Sequence, residues 1–147
     1  MKDAPQGWPR ITTTIHYKNA KNMIDWLCQA FGFEIQMVVE GEAGNIEHSE
    51  LRLEESLIMV GQADGDEAKR WGVRRASPLD IQGCNTQTLQ MYVDDIESHY
   101  ARAKKHGAII VDELSVRDYG EDYWADNSYG ATDPEGHMWW ISERVRG

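Results

Sequence analysis

The apolar and polar positions of the first half of the chain predict a strand, a helix and three further strands. Ile11–Tyr17 is rich in β-branched residues, which is typical of a strand. The apolar residues of 19–31 then recur at i, i+3, i+4 and i+7, so they predict an amphipathic helix that buries one face. Asn19 can cap the start of this helix, and Gly32 can end it. Further strands are predicted over 33–40, 46–54 and 57–60.

The second half repeats the same order of patterns. A strand is predicted over Thr88–Val93, and a helix is predicted over 95–106, with Asp94-Asp95 supplying its N-cap and an acid at its start, and Gly107 at its end. Asp133-Pro134-Glu135-Gly136 predicts a turn, because proline presets φ and glycine accepts a positive φ. The other strands of this half are predicted over 109–111, 113–118, 128–132 and 138–143.

This repetition predicts two copies of one structural unit, which is the usual meaning of an internal repeat. The expected fold class is α+β, with two βαβββ modules. We expect an N-terminal tail over 1–9 and a single domain over 10–147. Within that domain, module 1 spans about 10–61, a linker spans 62–86 and module 2 spans about 87–143.

The net charge of −10 narrows the choice of partners. A strongly acidic chain disfavours nucleic acid, whose phosphates need basic residues, and it also disfavours anionic membranes. It is compatible with a neutral or cationic small molecule, although solubility explains the charge equally well. No apolar run reaches the length of a transmembrane helix, and residues 1–9 lack the apolar core of a signal peptide. We therefore expect a cytoplasmic location.

Two segments carry motifs of a known family. The stretch 133–139 reads Asp-Pro-Glu-Gly-His-Met-Trp, and the stretch 24–33 runs from the first predicted helix through its glycine exit. With the duplicated βαβββ order, they resemble the vicinal oxygen chelate superfamily, which includes glyoxalase I, extradiol dioxygenases, fosfomycin-resistance enzymes and bleomycin-resistance proteins. The resemblance covers roughly 10–145 and is strongest to the bleomycin-resistance-like branch. It implies a glyoxalase/bleomycin-resistance fold with two half-open cups forming one cupped sheet, a pocket between the cups and, in many members, a homodimer.

The resemblance also implies where the metal ligands of the family's enzymes would lie. Those cup-facing positions fall on Thr12, Thr88, Trp140 and the strand 56–61, which contains no Glu, Asp, His or Cys. Divalent metals in such sites need imidazole or carboxylate donors, and neither threonine nor tryptophan supplies one. We therefore expect no metal and no other cofactor.

Strand alternation indicates which side chains would line the first cup. It places Thr12, Thr14 and His16 on one face of the first strand, and His48 with Glu50 on one face of a later strand. All five are candidate ligand-binding residues. The alternative for His16 is a strand-end histidine with a local partner, and the alternative for the other pair is a solvated cross-strand contact.

The same alternation indicates the lining of the second cup. Thr88, Gln90 and Tyr92 should share a face, and they are candidate ligand-binding residues because amide and phenol groups both donate and accept hydrogen bonds. Trp140 should face the same cup as a further candidate, whereas Trp139 should pack into the core.

The region before the last hairpin combines aromatic and acidic residues. Tyr123 and Trp124 are its candidate ligand-binding residues. The interleaved acids are Asp118, Glu121, Asp122 and Asp126. Aromatic faces beside carboxylates suit a planar or cationic ligand through stacking and cation–π attraction. The alternative is that these aromatic residues form the core and the dimer seam of a small β-rich protein.

The predicted function is metal-independent binding or sequestration of a small aromatic or cationic organic molecule, with no bond broken. The expected partners are this small molecule and a second copy of the chain. One alternative is a metal-dependent lyase or dioxygenase with displaced ligands drawn from His16, His48, Glu50 and Glu113. Another alternative is a metal-free isomerase or epimerase with a carboxylate base.

Overall fold

Each half of the chain folds into one four-stranded sheet with a helix on one face. The structure is a computed structural model that describes residues 1–64 and 71–147. It consists of two units, Met1–Ser77 and Pro78–Gly147. Residues 65–70 of the predicted linker lie outside the described residues.

The first unit has the order β-α-β-β-β. Its elements are β1 (Thr14–Tyr17), α1 (Ala20–Trp26), a π-helical turn (Leu27–Phe31), β2 (Glu34–Glu40), β3 (Ile46–Leu53) and β4 (Ser56–Gln62). The strands lie in the order β1-β4-β3-β2, with β1 parallel to β4 and β3 antiparallel to both of its neighbours.

The second unit repeats this order and topology. Its elements are β5 (Leu89–Tyr92), α2 (Ile96–Lys105), β6 (Ile109–Asp118), β7 (Ala125–Thr132) and β8 (Met138–Arg146). The strands lie in the order β5-β8-β7-β6, with β5 parallel to β8. The predicted α+β fold with two βαβββ modules is confirmed.

The apolar residues of each unit are buried between its helix and one face of its sheet. In the first unit, α1 packs on β1, β3 and β4, where Ile15, Tyr17, Leu51 and Val60 are buried. In the second unit, α2 packs on β6, β7 and β8. The buried side chains there are Met91, Ile96, Ala103, Tyr129, Trp139 and Ile141. The prediction that Trp139 is a core residue is therefore confirmed.

The first strand and the first helix differ from the prediction at their ends. The strand begins at Thr14 rather than Ile11, because pairing with β4 starts only at the Thr13 carbonyl, which accepts from Met59 N. The predicted single helix changes to a π-helical turn after Trp26. The apolar face continues through this turn, since Leu27, Ala30 and Phe31 are all buried.

Three strands of the second unit are longer than predicted, whereas β5 is shorter, at Leu89–Tyr92 rather than Thr88–Val93. The separate strands expected over 109–111 and 113–118 form one strand, β6, whose register with β7 shifts twice. Each shift places one more residue on β6 than on β7, as a β-bulge does. β7 also begins at Ala125 rather than at 128, and β8 continues to Arg146 rather than ending at 143.

The predicted turn at 133–136 forms as expected. Gly136 N donates to the Asp133 carbonyl at 2.9 Å, and Asp133 N donates to the His137 carbonyl at 3.0 Å. The Asp133 carboxylate accepts from the backbone N–H groups of Glu135 and His137 and from the indole Nε1 of Trp139, each at 3.1 Å. The motif thus joins the turn to the core.

No helix in the described part of the chain is both long and apolar enough to cross a membrane.

Candidate functional site

Each unit carries a pocket on the sheet face that its helix leaves uncovered. The pocket of the first unit, pocket A, has a volume of about 460 Å³ and lies over β1, β3 and β4. Its lining includes Thr14, His16, His48, Gly61, Asp64 and Arg75. Three of the residues predicted for the first cup, Thr14, His16 and His48, therefore lie together in one pocket.

Gly61 makes room for pocket A. It pairs with His16 across the β1–β4 ladder. A Cβ atom at Gly61 would lie only 3.1 Å from both His16 Cδ2 and Thr14 Cγ2. Any larger residue at this position would therefore have to displace the imidazole and the threonine methyl group.

A chain of hydrogen bonds holds His48. Its Nε2 lies 2.9 Å from Glu50 Oε1, and Gln36 Nε2 donates to Glu50 Oε2 at 2.6 Å. Arg52 Nε donates to Gln36 Oε1 at 2.8 Å, and Arg52 Nη2 donates to the Gly7 carbonyl at 2.8 Å. Gln36 reaches Glu50 because a bulge in β2 inserts it between Ile35 and Met37 in the register with β3.

Glu50 is buried, whereas the side chain of its partner His48 is 41% exposed, so only the His48 end of this pair is solvated. The hydrogen bonds from His48 and Gln36 hold the pKa of the Glu50 carboxyl below its ordinary value. The carboxylate is therefore ionised near neutral pH and can only accept. It follows that the neutral His48 ring carries its proton on Nε2.

A second carboxylate lies at the other side of pocket A. Asp64 Oδ2 accepts from Arg75 N at 2.9 Å and from Arg75 Nε at 3.0 Å, and Asp64 Oδ1 accepts from Arg75 Nη2. The side-chain hydrogen bond from Arg75 is the largest of the influences that lower the pKa of Asp64 to about 2, and the nearby His16 acts in the same direction. Neither residue of this pair was predicted, because the two lie eleven positions apart within the predicted linker, where no periodic pattern relates them.

The pocket of the second unit, pocket B, has a volume of about 310 Å³. Its lining is Gln90, Arg117, Tyr119, Asp126, Ser128, Trp140 and Ser142. Gln90 and Gly130 both pair with Trp140, so the indole lies over the middle of the sheet. A Cβ atom at Gly130 would lie 3.0 Å from the indole, and so the absence of a side chain there is what lets the ring lie across β7.

Two arginines cover aromatic rings in and beside pocket B. The Arg117 guanidinium lies 5.6 Å from the centre of the Trp140 ring. The Arg144 guanidinium lies 5.2 Å from the ring of Tyr92 and 5.1 Å from that of Trp124. These distances are within the range of cation–π attraction. Strand alternation from Trp140 could have predicted Arg144 on this face, but the ring contacts depend on the fold.

Asp126 is the buried acid of pocket B, and it already forms an ion pair with Arg144. Its carboxylate accepts from Arg144 Nε at 2.5 Å and from the Tyr92 hydroxyl at 3.0 Å. Arg144 Nη2 also donates to the Tyr92 hydroxyl at 2.6 Å, which closes the network. The bond to Asp126 is the main reason that the pKa of Arg144 is raised.

Two of the threonines predicted to face the cups do not do so. Thr12 precedes β1, so strand alternation does not apply to it, and it does not line pocket A. Its hydroxyl is buried and has no hydrogen-bond partner within the described residues. Thr88 precedes β5, is exposed and does not line pocket B. Both predictions extended the strand by one or more residues beyond the paired segment.

Of the other residues predicted for the second cup, Gln90 and Trp140 line pocket B as expected. Tyr92 lies instead beside an open pocket of about 480 Å³ with Asp94 and Arg144. Alternation alone does not show that the Tyr92 hydroxyl donates a hydrogen bond to Asp126.

The residues predicted to form an aromatic box lie just before β7. Tyr123 and Trp124 pack edge to face with centroids 6.1 Å apart, and Tyr119 lies 5.7 Å from Trp124. Tyr123 is 63% exposed and Trp124 is 40% exposed, so neither is a core residue, and the alternative that they lie in a dimer seam stays a prediction. Tyr119 links this cluster to pocket B, whose lining it shares.

The described residues contain no group of three or more His, Cys, Asp or Glu side chains that could hold a metal ion. Glu113, which was considered as a displaced ligand, belongs to the second unit and accepts a hydrogen bond from the Tyr100 hydroxyl. Glu50, considered for the same role, has both oxygens engaged by His48 and Gln36.

Residues 11–141 match the family described as the Glyoxalase/Bleomycin resistance protein/Dioxygenase superfamily. The chain therefore belongs to this superfamily, as the motifs of the final turn and first helix predicted.

The chain is also similar to individual proteins. An uncharacterised protein of Mycobacterium bovis is 25% identical over 138 residues, which cover 94% of this chain and 85% of the relative. The crystal structure of TioX from Micromonospora sp. ML1 superposes with a TM-score of 0.70 at 21% identity, covering 93% of this chain and 99% of TioX. A glyoxalase/bleomycin resistance protein/dioxygenase from Alicyclobacillus acidocaldarius gives a TM-score of 0.62 at 12% identity, covering 97% and 96%. At these identities the structural likeness establishes the fold alone.

Proposed function

We propose that the protein binds a small planar aromatic molecule in pocket B, without a metal ion and without breaking a bond. The observation that carries this proposal is the position of Trp140, whose indole lies in the pocket where the resemblance to the superfamily's metal enzymes implies a ligand atom. An indole cannot donate an electron pair to a metal, but it offers a large face for stacking.

The surroundings of Trp140 support a ligand that also accepts hydrogen bonds. Gln90 and Tyr119 line the same pocket and can donate to such a ligand. Arg117 Nε is buried and has no hydrogen-bond partner within the described part of the chain. A buried donor without a partner is costly, so a small shift of Arg117 toward a bound acceptor would stabilise the complex.

Aromatic ligands are better supported than the cationic ligands considered from the sequence. The guanidinium of Arg117 already lies over Trp140, and that of Arg144 lies over both Tyr92 and Trp124. A cationic ligand would have to approach rings that already have a guanidinium beside them, and the two positive charges would repel each other. A planar neutral ring would instead stack without this repulsion.

Sequestration is the form of binding that we favour, and the bleomycin-resistance members of the superfamily are its precedent. The rival metal-dependent lyase or dioxygenase would draw displaced ligands from His16, His48, Glu50 and Glu113. The two carboxylates of this set already accept hydrogen bonds from protein side chains. A metal would have to break those bonds before it could bind.

Isothermal titration against three compounds of similar size tests the proposal. The compounds are a neutral bicyclic heteroaromatic, a neutral saturated bicycle and an aliphatic diamine. We expect measurable affinity only for the heteroaromatic, and Trp140→Leu should weaken it roughly threefold to tenfold, since an aromatic pair contributes about 0.5–1.5 kcal/mol. Trp26→Leu is the matched control, because Trp26 packs on Phe31 in the first unit.

Two further measurements separate binding from catalysis. Elemental analysis of protein purified without added metal should find no stoichiometric transition metal, and a chelator should leave the affinity unchanged. Mass spectrometry should recover the ligand unaltered after prolonged incubation. Equal affinity for the saturated bicycle, stoichiometric metal or a converted ligand would each contradict the proposal.

The homodimer and the cytoplasmic location expected from the sequence stay predictions.

A further inference from the structure

We propose that the aromatic ligand of pocket B carries a carboxylate group and that Arg117 is the residue that recognises it. This inference rests on the function proposed for pocket B, because the carboxylate belongs to the same molecule whose ring stacks on Trp140. The observation behind it is the placement of one buried acid between two arginines.

Asp126 lies between arginines on the two neighbouring strands. In the register of the sheet it pairs with Arg117 on β6 and with Arg144 on β8. Its carboxylate accepts from Arg144 Nε at 2.5 Å, and its side chain is only 4% exposed. Two guanidinium groups therefore flank one buried carboxylate, and within the described residues that carboxylate accepts from Arg144 and not from Arg117.

Arg117 lacks the hydrogen bonds that its position would allow. Its Nε and Nη2 atoms are buried, and neither has a hydrogen-bond partner in the part of the chain that the structure describes. Nη2 lies 3.0 Å from Asp112 Oδ2, but the two groups are too poorly aligned for a hydrogen bond. Buried donors without an acceptor are costly, so an acceptor that enters the pocket beside Arg117 is favoured.

Two acids near Arg117 oppose an anion, but neither accepts a hydrogen bond from it. Asp126 already accepts from Arg144 and from the Tyr92 hydroxyl, so its charge is balanced by Arg144. The side chain of Asp112 is 41% exposed, so solvent weakens its attraction for Arg117. The net charge of −10 acts from farther away, and salt screens charges beyond about 8 Å at physiological ionic strength.

The other polar groups that line pocket B also suit an acceptor. Gln90 has amide N–H groups, and Tyr119 has a hydroxyl group. The hydroxyl groups of Ser128 and Ser142 lie 2.9 Å apart, so one donates to the other, and the hydroxyl that accepts keeps its own proton. Asp126 is the one carboxylate among the described residues that line this pocket.

One ligand can reach both the stacking surface and the guanidinium. The Arg117 guanidinium lies 5.6 Å from the centre of the Trp140 ring. A carboxylate attached to a ring stacked on Trp140 would therefore lie beside Arg117, whose planar fork can bind both carboxylate oxygens. The guanidinium loses its contact with the indole if it moves aside, and a hydrogen bond to a charged group offsets that loss better than one to a neutral acceptor.

Isothermal titration of the full-length protein with indole-5-carboxylate and indole-5-carboxamide tests this inference. The two probes have nearly the same shape and differ in charge. We expect the wild-type protein to bind the carboxylate about fivefold to tenfold more tightly, because hydrogen bonds to charged groups contribute more than neutral ones. Arg117→Gln should weaken carboxylate binding more than carboxamide binding, so that the ratio of the two affinities falls to about one.

Three further variants show whether the preference comes from Arg117. Arg146→Gln is the matched control, because it removes the same charge from a residue that pairs with Asp118 and does not line the pocket. It should leave the ratio within about twofold of the wild-type value. Asp112→Asn removes the acid nearest to Arg117 and should raise the ratio roughly twofold. Trp140→Leu should weaken the binding of both probes alike and leave the ratio unchanged.

Two measurements protect the test against a loss of folding. Arg117→Lys keeps the charge but not the planar fork, so it should keep part of the preference for the carboxylate. In the wild-type protein, the NMR signal of the Arg117 Nε–H group should shift more with the carboxylate than with the carboxamide. A purely structural role for Arg117 would give equal losses for both probes and equal shifts of this signal.

Three results would overturn the inference: equal affinity of the wild-type protein for the two probes, a preference that persists in Arg117→Gln, or the same loss of preference in Arg146→Gln. Measurable but equal binding of both probes would leave the function proposed for pocket B intact. Binding of neither probe would contradict that function as well, so the two failures are distinguishable.

Discussion

Replacing Asp133 with asparagine should destabilise the second unit, because this carboxylate supports the last turn from within. Asp133 is 1% exposed and accepts three hydrogen bonds, from Glu135 N, His137 N and the Trp139 indole. Asparagine has nearly the same shape but has only one carbonyl oxygen. If that oxygen serves the two backbone donors, its amide nitrogen faces the indole N–H, and two donors then oppose each other.

The cost follows from the burial of these groups. Trp139 is 2% exposed, so water cannot easily satisfy its indole N–H once Asp133 is lost as an acceptor. A hydrogen bond to a charged group contributes about 1.5–3 kcal/mol, and a buried donor without a partner costs a similar amount. We therefore expect Asp133→Asn to lower the free energy of unfolding by about 2–3 kcal/mol.

Urea unfolding followed by far-ultraviolet circular dichroism measures this change. Trp139→Phe removes the donor, so in that background Asp133→Asn should cost about 1–2 kcal/mol less than in the wild type, the coupling expected of contacting residues. The slope with urea should be unchanged, which shows that the same surface is exposed on unfolding. A loss below about 0.5 kcal/mol, or equal losses in both backgrounds, would refute the hydrogen-bond explanation.

Two further predictions concern pH. Arg75 lowers the pKa of Asp64 to about 2, so this pair stabilises the fold above the ordinary aspartate pKa near 4 and its contribution is lost as the pH falls toward 2. Acid unfolding of Arg75→Gln should show a smaller loss of stability over that interval, and an unchanged profile would contradict the pairing. Burial raises the pKa of Tyr129, so stability should fall above about pH 10, where the unfolded chain ionises this phenol and the folded chain does not. Tyr129→Phe should flatten that alkaline decline and cost about 1 kcal/mol at neutral pH through loss of the bond to His99 Nδ1, as urea unfolding at both pH values would show.

The final turn shows which features the local sequence can predict and which it cannot. Proline and glycine at 134 and 136 predict a turn, and the structure has it, because backbone preferences act within a few residues. The role of Asp133 in that turn could not be read in the same way. Its third hydrogen bond goes to a side chain on β8, and that contact exists only when the strand returns beside the turn.

The candidate sites depended on registers that the sequence does not contain. Alternation correctly placed Thr14 with His16, and Gln90 with Trp140, because side chains of a strand point to opposite faces in turn. It failed for Thr12, which lies before the paired part of β1. A strand extends only as far as its hydrogen-bonded pairing with a neighbour, and that neighbour is distant in sequence.

The sequence by itself determined the duplicated βαβββ order, the amphipathic faces of both helices and the last turn. These follow from periodicity and backbone preference, which are local properties. Only the tertiary structure decided that Glu50 and Asp64 lie behind His48 and Arg75, and that arginines cover the aromatic rings beside pocket B. The Glu50 site rests on the bulge at Gln36, and the other pairings rest on strand registers and loop closures. The function of the chain therefore depends on contacts between residues that are far apart in the sequence.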